Sequence, residues 1–182
     1  MQAIRDRIPD YAKDLRLNLD ALAKIESLTP AQLWGTVLVS ALAARNDELV
    51  RAVSREARAH LDEPALAAAK TAAALMGMNN VYYRALHLLS NPEYASLPAR
   101  LRMQGLAHPG GANPTTERLD FELWCLAVSA VNGCGKCLDS HEHELRQRGA
   151  SALQIQDALR IASVLYAVAT VLDGERALAT LS

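Results

Sequence analysis

Cys134, Cys137 and His141 stand at relative positions 0, 3 and 7 in Asn132-Gly133-Cys134-Gly135-Lys136-Cys137-Leu138-Asp139-Ser140-His141. Residues three and four apart are neighbours on a helix, so this spacing predicts two thiols and an imidazole along one stripe. Thiols one turn apart can be oxidised to a disulfide and reduced again, because each sulfur is within reach of the other. Such a pair could reduce a peroxide. One thiolate attacks a peroxide oxygen and becomes a sulfenic acid, and the second thiol condenses with it to a disulfide. The attack needs a base. His141, one turn beyond Cys137, is the nearest, and an ordinary imidazole pKa near ~6.5 suits proton transfer at neutral pH.

The flanking segments indicate how these residues are positioned. Glu122 to Val131 is an apolar run of helical length. Asn132-Gly133 is a pair that ends helices, since glycine accepts the left-handed backbone common just past a helix end. Cys134 then opens a second helix. Free backbone N–H groups, the positive end of the helix dipole and Lys136 would lower a cysteine pKa there. If the chain reverses at Gly133, Glu122 lies 11 residues before the turn and His141 eight after it. At ~1.5 Å per residue their heights differ by only about 5 Å, so the two could meet. A carboxylate on the imidazole would fix its tautomer and raise its basicity, giving a relay from Glu122 through His141 to Cys137. The plain alternative is that Glu122 is a first-turn acid favoured by the dipole. Lys136, His143 and His108 read as exposed polar residues, and Cys125 as a buried small apolar one.

The 182 residues suit a single domain spanning 1–182. Hydrophobic residues make up 51% and the net charge is −1, which argues against both intrinsic disorder and an electrostatic nucleic-acid surface. Aromatic residues, at 4%, are too few for base-stacking platforms. The N-terminal Met1 to Asp10 is too charged for a signal peptide, and no apolar run is read as a membrane span, so the cytosol is the expected location. In that reducing compartment a close cysteine pair is more often catalytic or metal-binding than a permanent staple.

Along the chain, Leu15, Leu19, Leu22 and Ile25 mark an amphipathic helix, and Thr29-Pro30 caps a buried one over Leu33 to Ala44. Further helices start at Asn46 and at Asp62, the latter ending or kinking at Gly77. Another runs from Asn79 or Asn80 to Asn91-Pro92, and a shorter piece reaches about Met103. Ala107 to Thr116 is the clearest loop, with Thr116 capping the helix of Glu122. Leu153 to Leu172 reads as a long core helix. No segment alternates with period two, so the expectation is an all-α bundle of about eight helices. A shift of 56 lays Ala74 to Val81 on Ala130 to Cys137, both turning at glycine, which would describe a duplicated helical hairpin.

Cys134, Cys137 and His141, with Glu122 or His143 as a fourth ligand, could instead hold a structural zinc in a non-catalytic scaffold. Such sites usually clip short, loop-rich domains, whereas this chain has core enough of its own. A thioredoxin-like reading fails because no strand precedes the CxxC.

With these residues in place, the sequence resembles the alkyl hydroperoxide reductase D family, lipoyl-dependent peroxidases of the carboxymuconolactone decarboxylase-like superfamily. The resemblance is carried by Asn132-Gly133-Cys134-x-x-Cys137-x-x-x-His141 and Phe121-Glu122-Leu123-Trp124. Tyr11-Ala12-Lys13-Asp14, Gln32 to Thr36 and Met76-Gly77-Met78-Asn79-Asn80-Val81 extend it over nearly the whole chain. It implies an all-helical subunit, a homotrimer, and hydroperoxide reduction with no tightly bound cofactor. Cys137 would be the peroxidatic cysteine, Cys134 the resolving one, and Glu122 and His141 the proton relay. Dihydrolipoyl groups on a 2-oxoacid dehydrogenase component would supply electrons, and an alkyl hydroperoxide reductase C-type peroxiredoxin would be an oxidised client. Lys136 departs from members that carry histidine between the thiols, which leaves the relay to Glu122 and His141. A decarboxylase-like activity within the same superfamily would survive loss of both cysteines.

Overall fold

The computed structural model describes residues 1–107 and 116–180. His108 and the interior of the expected loop lie outside the described residues. Among the described residues there are ten α-helices, one 3-10 turn and no strand, as the all-α reading expects. The helices are α1 (Gln2–Asp6), α2 (Lys13–Leu22), α3 (Pro30–Ala44), α4 (Asp47–Ala57), α5 (Glu63–Leu88), α6 (Glu93–Ser96), α7 (Gln104–Ala107), α8 (Arg118–Val131), α9 (Gly135–Gln147) and α10 (Ala152–Ala179).

Local chemistry sets most of the starts. Thr29 with Gln32 and Ser151 with Gln154 form reciprocal capping boxes at α3 and α10. The Asn46 and Asp62 side chains accept from Leu49 N–H and Ala65 N–H, satisfying first-turn donors of α4 and α5.

The hub is α8, in which every side chain from Phe121 to Ser129 is buried. It packs against α3, α5, α9 and α10, so one helix ties the site to the core. Close approach of α3 depends on Gly35. A Cβ there would lie 2.1 Å from the fully buried Trp124 indole. Gly35→Ala should therefore destabilise the fold by about 1–3 kcal/mol, the usual cost of overpacking, read as a lower midpoint in thermal unfolding.

Three expectations are corrected. The helix does not end at Gly77: α5 continues through it to Leu88. A helical glycine costs about 1 kcal/mol relative to alanine. Burial of Met76, Asn79 and Asn80 on the same helix outweighs that cost. The echo of Ala74–Val81 on Ala130–Cys137 consequently lacks its matching turn, and no duplicated hairpin follows from it. Thr116 does not cap α8, whose N-cap is Glu117 without a side-chain bond; the Thr116 hydroxyl is buried with no partner among the described residues. The count exceeds eight because α1, α6 and α7 are single-turn pieces of five, four and four residues, too short for a periodic signal.

By length and composition α10 is apolar enough to cross a membrane, beyond what the sequence reading allowed for its interspersed Gln, Asp and Arg. Its buried stripe, including Ile161, Leu165 and Leu172, faces the bundle, and the helix packs on α2, α3 and α8.

Candidate active site

The turn between α8 and α9 sets the register of the whole site. Gly133 adopts φ +67°, as the Asn-Gly pair predicts. Gly133 N–H returns to Ala130 O at 3.1 Å and Cys134 N–H to Ser129 O at 3.0 Å, which satisfies the end of α8 in a Schellman arrangement. The Arg84 guanidinium on α5 holds the Asn132 carbonyl from outside. Cys134 is thus the closing residue of one helix and the N-cap of the next.

Cys137 follows one turn later, and the two sulfurs lie 2.6 Å apart as free thiols. Cys134 is fully buried, whereas Cys137 keeps 6% exposure and lines a cavity of about 200 Å³. Met76, Tyr83 and Leu106 form apolar parts of its wall, and Asn79, Lys136 and His141 polar ones. The cavity therefore reaches one thiol of the pair, together with the imidazole.

Glu122 and His141 do meet, as the hairpin geometry predicts. His141 Nδ1 lies 2.6 Å from Glu122 Oε2, and the carboxylate is 96% buried. With Nδ1–H donating to the carboxylate, the lone pair is on Nε2 and available as a base. The other oxygen, Oε1, pairs with Arg118 at 2.6 Å. Burial by itself raises the Glu122 pKa. The His141 hydrogen bond and charge, joined by Arg118, outweigh burial and hold it below the ordinary carboxylate value.

Arg118 is a participant the sequence reading missed. An acid four residues after an arginine on a helix is the signal that could have found it. It also donates to the Leu106 carbonyl at 2.5 Å, tying α7, and with it a wall of the cavity, to the Glu122 carboxylate.

A carboxylate with a lowered folded pKa contributes stability above its unfolded value and loses it as pH falls through the folded one. Arg118→Met leaves Glu122 a smaller depression, so acid destabilisation should begin at higher pH than in the parent, measured by thermal unfolding across the acidic range. An unchanged acid limb would remove Arg118 from this role.

The helix-start expectation concerns Cys134; Cys137, one turn further on, is governed by burial. Burial and the neighbouring Cys134 push the Cys137 thiol up to about 12, against a smaller downward effect of Asn80. Desolvation is the largest cause because it acts on the sulfur directly. Burial likewise pushes Cys125 well above the ordinary thiol value, in keeping with an inert packing residue. His143 is exposed and shares a contact with Gln147, as a solvated residue would.

The zinc reading draws on the same residues, Cys134, Cys137 and His141, which a metal would have to gather. Among the described residues no three His, Cys, Asp or Glu side chains are grouped to hold a metal ion.

The all-helical subunit agrees with the carboxymuconolactone decarboxylase family, which matches residues 92–180. Similar proteins from several bacteria carry the name alkyl hydroperoxide reductase AhpD. The protein from Rhodospirillum centenum is 54% identical over 98% of this chain and 93% of its own length. That from Gluconacetobacter diazotrophicus is 51% identical over 98% and 95%, and that from Streptomyces avermitilis 52% over 98% of each. At such identity over nearly the full length of both partners, the chain belongs to the alkyl hydroperoxide reductase AhpD family.

Proposed function

We propose that this chain is an enzyme that reduces alkyl hydroperoxides by cycling Cys134 and Cys137 between dithiol and disulfide. The observation that carries this reading is that Cys137, not Cys134, lines the cavity beside an imidazole held by a buried carboxylate. The names of the relatives support the substrate class.

Burial pushes the Cys137 thiol up and keeps it protonated at neutral pH, so the proton must leave as the sulfur reacts. His141 Nε2 takes it while Cys137 Sγ bonds to the terminal peroxide oxygen and the O–O bond breaks. The alkoxide recovers that proton from the imidazolium and leaves as the alcohol, and Cys137 is now a sulfenic acid. Cys134 Sγ displaces the hydroxyl, which leaves as water, and the disulfide forms. A dithiol then reduces it by exchange at the sulfur facing the cavity and is itself oxidised to a disulfide.

The dithiol is a dihydrolipoyl group on a 2-oxoacid dehydrogenase component, and the reduced pair passes electrons to an alkyl hydroperoxide reductase C-type peroxiredoxin. The apolar cavity walls suit the carbon chain of such a group. The chain needs no tightly bound cofactor, works in the cytosol where its thiols stay reduced, and assembles as a homotrimer.

The test is consumption of cumene hydroperoxide with dihydrolipoamide as the sole reductant. Steady turnover with loss of two thiols per oxidised chain is expected. Absence of turnover, with both thiols still titratable after a peroxide pulse, would overturn the reading.

A further inference from the structure

The cavity beside Cys137 is lined from one side by α5 and from another by α9. Met76, Asn79 and Tyr83 stand at relative positions 0, 3 and 7 on α5, so they form one stripe of its wall. The middle residue of that stripe is an amide. Asn79 is only 5% exposed, and its Oδ1 is buried with no hydrogen-bond partner among the described residues. The other polar groups of the wall differ from it. Lys136 and Ser140 are exposed, and His141 Nδ1 is committed to Glu122.

Burying an amide without partners is costly, and a leucine between Met76 and Tyr83 would line the wall at less cost. The next residue shows what a structural asparagine does at this depth. Asn80 Nδ2 donates to Ser129 Oγ at 3.0 Å, and its Oδ1 accepts from Asn132 Nδ2 at 3.0 Å. Asn79 has no such bond at its oxygen. An amide with free capacity, on the wall of a cavity that opens on a nucleophile, is suited to a ligand. Because it presents C=O beside N–H, it matches a ligand with a donor next to an acceptor. A hydroperoxide group has that pair: the terminal O–H donates and the alkyl-bearing oxygen accepts. With no bond at Oδ1 to hold it, the amide can turn about χ2, a broad torsion, to meet both.

We propose that Asn79 binds the hydroperoxide group, with Oδ1 accepting the terminal O–H and Nδ2 donating to the alkyl-bearing oxygen. Met76, Tyr83 and Leu106 take the carbon skeleton. The assignment rests on the hydroperoxide reduction proposed above. In that step the S–O bond forms at Cys137 and the O–O bond breaks. The terminal oxygen keeps its hydrogen and becomes the sulfenic hydroxyl, so Oδ1 holds a hydrogen that is not transferred. The alkyl-bearing oxygen receives the Cys137 proton through His141 and leaves as the alcohol. Negative charge develops on that oxygen before the proton arrives, and the Nδ2 bond strengthens there.

The first test compares two single-turnover rates at Cys137, located by peptide mass spectrometry: oxidation by cumene hydroperoxide and alkylation by iodomethane, which has neither oxygen nor N–H. In Asn79→Leu the ratio of oxidation to alkylation should fall about tenfold, the scale of a hydrogen bond lost. A change in the general reactivity of the thiol moves both rates together and leaves the ratio in place. A merely structural Asn79 would lower the thermal unfolding midpoint and leave the ratio in place as well. An unchanged ratio overturns the proposal.

The second test needs no variant. In the unmodified protein, the Asn79 side-chain amide resonance should shift on addition of 2-phenyl-2-propanol, the alcohol product, and much less on addition of cumene, the same skeleton without oxygen. An amide that responds equally to both overturns the proposal. The two failures are distinguishable. Oxidation of Cys137 by hydroperoxide with an unchanged ratio would keep the proposed function and lose the role of Asn79. An amide that selects the alcohol, in a protein whose thiols ignore hydroperoxide, would keep the oxygen-binding amide and lose the function, and with it the place of Asn79 in peroxide attack.

Discussion

Cys137→Ser should abolish dihydrolipoamide-dependent hydroperoxide turnover, by on the order of 10³-fold or more, the scale on which loss of a nucleophile is felt. Serine fits the space of cysteine, but its hydroxyl is a far weaker nucleophile and forms no sulfenic acid. Cys134→Ser should behave differently. Cys137 still faces the cavity and His141, so the first oxygen transfer survives, but no second thiol is left to expel water. One equivalent of sulfenic acid per chain should accumulate, trapped by dimedone and weighed by mass spectrometry, while steady turnover stops. The two variants together assign the roles. Undiminished turnover in Cys137→Ser would sink the assignment, and equal trapping of sulfenic acid at both positions would remove the distinction between them. A decarboxylase-like activity, indifferent to both thiols, would survive both changes.

His141→Gln should slow turnover by about 10²–10⁴-fold, the usual worth of a general base. The expectation is toward the upper end, because a buried thiol near 12 has no other ready route for its proton. Glu122→Gln keeps a group of the same shape against Nδ1 but removes its charge. The imidazole becomes a weaker base and loses its fixed tautomer, at a cost of about 10–100-fold. Because Glu122 acts through His141, the double variant should be little worse than His141→Gln alone, which is the pattern of residues acting as one unit. Rates of Cys137 alkylation should follow the same order. An unchanged alkylation rate in both single variants would eliminate the relay.

Much of this site was legible before any coordinates. The Asn-Gly pair predicts a left-handed turn because few other residues accept positive φ, and Gly133 has it. The 0, 3, 7 spacing predicts a common stripe, and Cys137 and His141 do open on one cavity. Reflecting Glu122 and His141 about the turn predicts their meeting, because antiparallel helices of equal rise bring equal distances from a turn to equal heights. The capping residues at 29, 46 and 62 were readable for the same reason: each satisfies donors within three residues of itself.

What misled the sequence reading was local in origin. Gly77 and the asparagines after it carry the marks of a break, yet α5 runs straight through them. The Asn80 amide is satisfied by Ser129 and Asn132, about fifty residues further along the chain. Thr116 carries the mark of a cap, yet the helix starts one residue late and leaves it unused. Propensity reports what a segment does on its own, and long-range bonds overrule it where a core position pays better.

The amino-acid sequence by itself therefore determined the all-α class, the close cysteine pair and the carboxylate and imidazole beside it, since each depends on spacing within one helix or across one turn. Only the tertiary structure decided that Cys137 rather than Cys134 meets the cavity and that Arg118 takes the second oxygen of Glu122. It also set the acidity of Cys137: the depth at which the fold buries that thiol is not written in the sequence, and desolvation is the largest cause of its raised pKa.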